Sequence, residues 1–527
     1  MGSWDCTKET TWRDVMEWRA RVWYDKVAVV SPHTSRQYTF GEFNLLVNKI
    51  ANSLLKVGLK KGDRIALVAP DLPEYLAVTM TCKAGIVPAP VNWRLKSDEL
   101  AYVINDCGAK VVFVGSQFAD TIKALKPKTP EVKHYVCLDG NRPDMPSFDA
   151  FIGNASPDDP GVDLELNDLL AIIYTSGTTA LPKGVMKKNR DAMAMMRLIN
   201  GLGQIRASDH VLGMFPLFHA GLVHGSFVSY LFTCTQYILQ RFDPELVLQT
   251  IDKYHITNLM VVPTMLIRIM DHHDFRKYNT KSLRSIVYTG SPMPVEQMRR
   301  AMELFGPVLY QGFGMTEGGG QMSLPTSDHV LAIQNPEKQR LLNSVGKCLP
   351  GCEMRLFDDS DRDVKRGEIG EIVFRSPAMI DGYWNKPKET AELLRSGWLH
   401  TGDMGRLDED GYLYIVDRKK DVIVSGAEKI PSKEVEEVIY QFPVAEVAVV
   451  GVPSKEWGEE IKAIVVAREG VPTTPEAIIE FCNERLSGFK RPRTVEIWKE
   501  LPKNATGKIL KRDIREKFWA GREKRVS

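Results

Sequence analysis

IIYTSGTTALPKGV, residues 172–185, is an apolar run that breaks into a loop of hydroxyls and glycines carrying Pro182 and Lys183. Ile172, Ile173 and Tyr174 read as a buried strand. Thr175, Ser176, Thr178 and Thr179 supply hydroxyl donors, Gly177 and Gly184 let backbone N–H groups turn inward, and Lys183 adds a positive charge. Anions sit well in such nests of donors, so the segment is expected to wrap a polyphosphate at the end of a strand. The Gly-x-x-x-x-Gly-Lys-Ser/Thr spacing of the common P-loop occurs nowhere in the chain.

Outward from this loop, short β-rich runs at 63–70, 110–115, 258–264 and 285–290 alternate with helical patterns at 41–57, 94–105, 189–202, 243–254 and 293–304. A further helical pattern occupies 11–24. Such alternation predicts a parallel, doubly wound sheet covered on both faces, an α/β architecture. From residue 345 the texture changes. GKCLPGCEMRLFD, GEIGEIVFRS and GYLYIVDRKKD alternate strands with Gly/Asp turns, which suits a small antiparallel, β-barrel-like layer over 345–417. Beyond the charged segment DRKKD (417–421), helix 432–442, strands 445–452 and 461–468, helix 474–486 and strand 494–498 form an α+β unit of domain size. The expected division is a large N-terminal body over 1–417, a hinge at 418–421 and a small C-terminal domain over 422–527.

The 527 residues exceed what one hydrophobic core supports. Lys and Arg total 69 against 67 Asp and Glu, a formal net charge of +2 that gives no electrostatic case for a nucleic-acid partner. None of the eight cysteines falls in a Cys-x-x-Cys pair, and Cys348 and Cys352 have no second pair or histidines beside them. That argues against a metal knuckle and for reduced thiols in a cytosolic enzyme. The N-terminal residues show no apolar signal-peptide core, and no uncharged run approaches the ~20 residues of a membrane span. A cytoplasmic protein without a membrane span is expected, and a homodimer is left open.

Three further motifs carry chemistry. YQGFGMTEGGG (310–320) surrounds Thr316 and Glu317 with glycines, so the backbone can approach a flat ring or a phosphate closely. Glu317 is then a candidate ligand for Mg²⁺, which takes one or two carboxylates and completes its shell with water and phosphate oxygens; the alternative is a glycine loop with an exposed Glu. In GWLHTGDMGRLDEDGYLYIVDRKKD (397–421), Asp403 lies between a glycine turn and a strand, where a carboxylate can accept from a ribose diol, and Arg418 could reach the same sugar. An Asp in TGD is otherwise a turn former. In LPKNATGKILKRDIR (501–515), Lys508 follows a Thr-Gly turn and by itself reads as a solvated charge.

In this order and spacing the motifs resemble the adenylate-forming superfamily: acyl- and aryl-CoA synthetases, peptide-synthetase adenylation domains and beetle luciferases. The resemblance spans residues 40–515. It implies ATP, Mg²⁺ and coenzyme A as cofactors and a mobile C-terminal domain. It also implies that Thr175, Ser176, Gly177, Thr178, Thr179 and Lys183 hold the β- and γ-phosphates, while Thr316 and Glu317 are the phosphate contact and metal ligand. Gly290, Ser291 and Pro292 would lie beside adenine, with Gly312, Phe313 and Gly314 lining the same cleft, and Asp403 and Arg418 would meet the ribose. His219 in PLFHAGL matches a gate at the carboxylate pocket, Lys420 the hinge position, and Lys508 the lysine on the carboxylate and α-phosphate. Trp457, Phe489, Lys490 and Arg491 resemble positions holding the CoA nucleotide, and the loop around Gly426 would line the pantetheine tunnel. The chain departs from the usual pattern at Ala180, Asn189, Phe313, Ala427 and Lys429.

The implied activity is ATP-dependent ligation of a carboxylic acid to CoA through acyl-AMP, with pyrophosphate released. Loading of a carrier-protein phosphopantetheine is the alternative, against which the absence of a carrier segment after Ser527 counts. A non-catalytic nucleotide-binding scaffold is the third reading, disfavoured by the intact Thr316, Glu317, Asp403, Arg418 and Lys508. Around the expected pocket His219, Val223, Phe227, Tyr288, Gly312, Gly314 and Gly318–Gly320 are apolar, aromatic or small, with no cation for a second carboxylate and no aspartate for an amine. That favours a hydrophobic monoacid: fatty, aryl or alicyclic.

Overall fold

The computed structural model describes residues 10–175, 181–200, 205–219, 221–291, 293–425, 428–454, 456–468, 470–503 and 509–520. Ser176, Gly177, Thr178, Thr179, Pro292, Gly426 and Lys508 lie outside them. The chain forms two compact units, one of residues 1–353 and 374–399, the other of 354–373 and 400–527.

In the first unit a mixed sheet runs in the order Lys347–Cys348, Gly319–Leu324, Leu309–Met315, Ser285–Tyr288, Asn258–Val261, His210–Gly213, Thr235–Tyr237, Val27–Ser31, Arg36–Thr39. Its inner strands are parallel and its edges antiparallel. A second, parallel sheet takes Val87–Pro90, Arg64–Val68, Ala109–Val114 and His134–Cys137. The strand at 64–68 shows why these runs read as continuous apolar sequence. Ile65 and Leu67 enter one core cluster while Ala66 and Val68 enter another, so both faces are covered. Helix Phe40–Lys56 starts at a capping box: Glu42 N–H donates to Thr39 Oγ1 at 3.1 Å and Thr39 N–H to Glu42 Oε2 at 2.9 Å. Its Phe40, Phe43, Val47, Ile50 and Leu54 recur at helical spacing and are fully buried, each contributing roughly 1.5–3 kcal/mol.

The second unit rests on two sheets. One orders Glu353–Phe357, Gly370–Arg375, Leu399–Leu407 and Leu413–Arg418, the barrel-like layer of the sequence. The other orders Glu428–Ile430, Ile423–Ser425, Gly458–Ala467 and Val444–Ser454, with Thr494–Trp498 parallel to Gly458–Ala467. Alternation along Val444–Ser454 serves two helical layers. Val447 and Val449 pack with Val435 and Ile439 of helix Ser432–Ile439 and Ile478 of helix Pro475–Asn483, while Ala448 and Val450 pack with Ile514 of helix Lys511–Trp519. The layer and the C-terminal residues share this unit because Asp417 accepts from both the backbone N–H and the hydroxyl of Ser432, at 2.5 and 2.8 Å. The segment 418–421 thus runs inside the unit, where Arg515 bonds the Lys420 carbonyl at 2.6 Å and Asp421 at 2.7 Å.

Candidate active site

The deciding stretch flanks an antiparallel strand pair. Strand Leu169–Thr175 pairs with Lys183–Lys188, Tyr174 opposite Gly184 and Thr175 opposite Lys183. Gly184 is required by space: a Cβ there would stand 2.8 Å from Ile172 Cγ2 and 3.1 Å from the Tyr174 ring. The segment 380–384 lies against the outer side of Lys183–Lys188, with Trp384 N–H donating to Gly184 O at 2.8 Å and Val185 bridged to Tyr383. The Tyr383 ring therefore sits 5.3 Å from the Lys183 ammonium, in cation–π contact.

Glu317 is only 8% exposed. It occupies the tight turn between Leu309–Met315 and Gly319–Leu324, where Gly314 cannot be replaced because its Cβ would meet Gly319 O at 2.1 Å. Ile380 N–H donates to the Glu317 carbonyl at 3.0 Å, and the Tyr383 hydroxyl donates to Glu317 Oε1 at 2.7 Å. Burial and this carboxylate hold the Tyr383 hydroxyl well above its ordinary value, so it stays protonated as a donor. Beneath it Lys187, 2% exposed, is pulled down by burial to about 8, with Asp191 and Glu317 opposing the fall. Lys183, Tyr383 and Glu317 are thus one connected group, with Thr316 half-buried beside it.

Three other predicted segments meet at one sheet edge. Strands His210–Gly213, Ser285–Tyr288 and Leu309–Met315 belong to the parallel part of the large sheet, so the residues that follow them leave from their shared carboxyl ends. These are His219, Gly290–Ser291 and, beyond the parallel pairing that ends at Gln311, the antiparallel continuation Gly312–Met315 with Thr316 and Glu317 at its turn, the customary ligand edge of an open α/β sheet. Burial lowers His219 below the ordinary imidazole value, which leaves it neutral. Gly312 is open, its nearest neighbour to a Cβ being Thr289 at 3.9 Å, while Phe313 pairs with Phe374 at 6.3 Å. Beside His219 a small cavity is lined by Asp71, Gly213, Leu217, Gly221, Gly225 and Gln236.

Two pocket expectations are corrected. Phe227 and Tyr288 are fully buried in the core. Phe227 stacks 4.5 Å from Trp12, and the Tyr288 hydroxyl bonds His329 at 2.8 Å, so large ring faces find better cover in packing than at a cleft. An aspartate also lines the cavity, contrary to the sequence reading. Burial pushes Asp71 up to about 7; its oxygens accept from Leu217 N–H at 3.2 Å, and Arg94 offsets its charge.

In the second unit Asp403 and Arg418 are cross-strand partners, Nε to Oδ1 2.5 Å, Asp403 buried and Arg418 partly exposed. Burial lowers the Lys420 ammonium. Parallel pairing of Lys462 with Thr494 puts Trp457 and the 489–491 segment at one end of that sheet, where Trp457 is 44% and Phe489 46% exposed. Lys490 is held by Glu434 at 2.7 Å and Arg491 by Leu486 O at 2.9 Å. Sequence reasoning missed Tyr383 and Lys187. The first lies in a segment without periodicity, and the second reads as part of a surface charge run. Asn189 is explained: fully buried, it accepts from Trp12 N–H at 2.9 Å and donates to Asp168 O at 3.3 Å, tying the N-terminal helix to the hairpin.

Among the described residues no group of three or more His, Cys, Asp or Glu could cage a metal ion. A single buried, hydrogen-bonded carboxylate such as Glu317 fits instead a hard cation that keeps water and phosphate oxygens as its other ligands.

Residues 16–384 match the AMP-binding enzyme family and residues 434–508 its C-terminal domain, and the chain belongs to that family of adenylate-forming enzymes. It is 33% identical to a feruloyl-CoA synthase of an Amycolatopsis species, over 94% of this chain and 98% of the relative. It is 32% identical to the fatty acid–[acyl-carrier-protein] ligase ScoC of Streptomyces coeruleorubidus, over 93% and 94%. The anthranilate CoA ligase AuaEII, solved with anthranoyl-AMP, superposes with a TM-score of 0.87 at 26% identity and 97% coverage of each chain.

Proposed function

We infer that the protein is an AMP-forming carboxylic acid–CoA ligase acting on a hydrophobic monoacid, with Mg²⁺ as its metal ion. In the first half-reaction a carboxylate oxygen attacks the α-phosphorus of ATP. The acyl–phosphate bond forms, the bond from α-phosphorus to the bridging oxygen breaks, and pyrophosphate leaves with the electron pair. Both reactants are anions, so the barrier is chiefly electrostatic and is lowered by pre-aimed cations and N–H donors. Lys183 and the hydroxyls of Thr175, Ser176, Thr178 and Thr179 take the β- and γ-phosphates, and Lys508 brings an ammonium to the carboxylate and α-phosphate. Gly290, Ser291 and Pro292 flank adenine, and Asp403, oriented by Arg418, accepts from the ribose. Thr316 contacts phosphate, and Glu317 would hold Mg²⁺, which when bound neutralises charge on the pyrophosphate oxygens.

In the second half-reaction the CoA thiolate attacks the acyl carbon and AMP leaves. Residues 422–527 swing about Lys420, withdrawing Lys508 and presenting the Gly426 loop. Trp457 or Phe489 stacks the CoA adenine, and Lys490 exchanges Glu434 for phosphate while Arg491 assists. No helix among the described residues is long and apolar enough to cross a membrane.

The observation that carries this reading is the Lys183–Tyr383–Glu317 group at the mouth of the phosphate hairpin. Pyrophosphate release measured over fatty, aryl and alicyclic acids, with and without CoA, tests it; no acid eliciting release would overturn it. A second reading, loading of a carrier-protein thiol, is favoured by the likeness to ScoC. Turnover with holo-carrier protein but not CoA would establish that reading instead.

A further inference from the structure

The cavity beside His219 is not uniformly apolar. Phe215, Leu217, Ile238 and Leu239 give it apolar walls, and two oxygen-bearing side chains, Asp71 and Gln236, interrupt them. Its space is about 10 Å³, room for one water-sized group. Chain order ties it to the site, since Leu217 and Gly221 stand two residues either side of His219. Small residues keep it open: a Cβ on Gly213 or Gly225 would meet nothing within 4 Å.

Gln236 sits on an interior strand of the large sheet, between His210–Gly213 and Val27–Ser31, and is 5% exposed. Its Nε2 donates to the fully buried hydroxyl of Ser226 at 2.7 Å. Its Oε1 has no hydrogen-bond partner among the described residues. A buried acceptor left unpaired is costly, and a bound donor removes that cost. Asp71 is short of donors as well. Its two oxygens share one N–H, that of Leu217, at 3.2 Å each, although a carboxylate offers about four acceptor sites. Two under-satisfied acceptors therefore line a space that admits one group, and the group that fits must donate.

We propose that this cavity is a specificity subsite for the acid, in which Asp71 and Gln236 accept from one hydroxyl or amino group carried by an otherwise apolar monoacid. This rests on the acid–CoA ligase reading and narrows its substrate class. A hydroxyl or amino group matches the space in size and supplies the donor; a hydrogen atom in its place leaves both acceptors unpaired, and a methoxy group overfills the space without donating. The test is acid-dependent pyrophosphate release, read as kcat/KM, for matched sets of aryl, alicyclic and straight-chain monoacids with their hydroxylated, aminated and methoxylated counterparts. In the unaltered protein a hydroxylated or aminated acid exceeds its unsubstituted parent and its methoxy counterpart by about 10- to 150-fold, the range of one hydrogen bond to a charged group. The hydroxyl and amino arms identify which donor is used. Gln236→Leu and Asp71→Asn each narrow that preference by about tenfold and raise kcat/KM for the unsubstituted parent, because no unpaired acceptor then opposes it, while KM for ATP stays within about twofold. Asp71→Asn retains an oxygen for the Leu217 N–H. Gly225→Ala fills the space and lowers kcat/KM for the substituted acid alone. Structural damage does not produce a gain on the unsubstituted acid. Parents that match or exceed every substituted counterpart, or a preference that survives both polar substitutions, would overturn the proposal. Absence of pyrophosphate release with every acid of every set would instead overturn the ligase reading beneath it.

Discussion

Replacing Tyr383 by phenylalanine removes one hydroxyl and leaves nearly everything else in place. The ring that Lys183 faces at 5.3 Å remains, as do the backbone bonds that fix residues 380–384 against Lys183–Lys188. What is lost is the 2.7 Å bond to Glu317 Oε1. A hydrogen bond to a charged group contributes about 1.5–3 kcal/mol, and each 1.4 kcal/mol is about tenfold. Acid-dependent ATP–pyrophosphate exchange should therefore lose about 10- to 150-fold in kcat/KM for MgATP, the range of one charge-assisted bond. Thioester formation from supplied acyl-AMP should change by less than about threefold, because that half-reaction does not handle the β- and γ-phosphates. In a Glu317→Gln background the same change should cost at most about twofold, since the charged partner is already gone. An equal loss in both backgrounds, or in both half-reactions, would show that the hydroxyl supports the fold rather than the carboxylate.

Lys508→Ala should lower acyl-AMP formation by at least about 10²-fold, the usual loss for one transition-state donor, and affect thioester formation from acyl-AMP much less; equal losses would contradict the swing about Lys420. Burial pulls His329 down to about 4 from an unfolded value near 6.5. The unfolded chain binds that proton first, so this stability is complete above pH 6.5 and falls by up to about 3 kcal/mol as pH drops toward 4; urea melts of His329→Gln should be flat across that window. Burial would raise Glu371, but His400 at 3.4 Å and Lys419 at 3.1 Å outweigh it and hold the carboxyl down at about 2. Its contribution is present above pH 4.5 and lost as pH falls toward 2. Glu371→Gln should thus cost about 2 kcal/mol at neutral pH, the partner Lys419 being partly solvated, and little near pH 2, by denaturant melts.

The fold was legible where each strand answers to one environment. Residues 64–68 and 109–114 are apolar throughout because both faces meet helices, and the sequence announces this as an unbroken run. Phe40–Lys56 announces itself by the capping box and apolar spacing. Adjacency in sequence groups residues 354–373 with the N-terminal body. In the structure they pair into the sheet that reaches Leu413–Arg418, whose Asp417 is bound by Ser432. Hydrogen bonds between residues far apart in sequence leave no periodic trace.

The candidate site is legible where its chemistry is local. A run of hydroxyls, glycines and a lysine declares its donors within a few residues of sequence, and so does a glycine-flanked glutamate. Tyr383 and Lys187 act through register instead. Tyr383 reaches Glu317 because its segment bridges to Val185, and Lys187 is buried because alternation turns it to the same face as Lys183. In isolation MKK at 186–188 looks like solvated charge, yet Lys187 is only 2% exposed. A buried carboxylate calls for a donor to orient it, and here the hydroxyl of Tyr383 supplies one to Glu317.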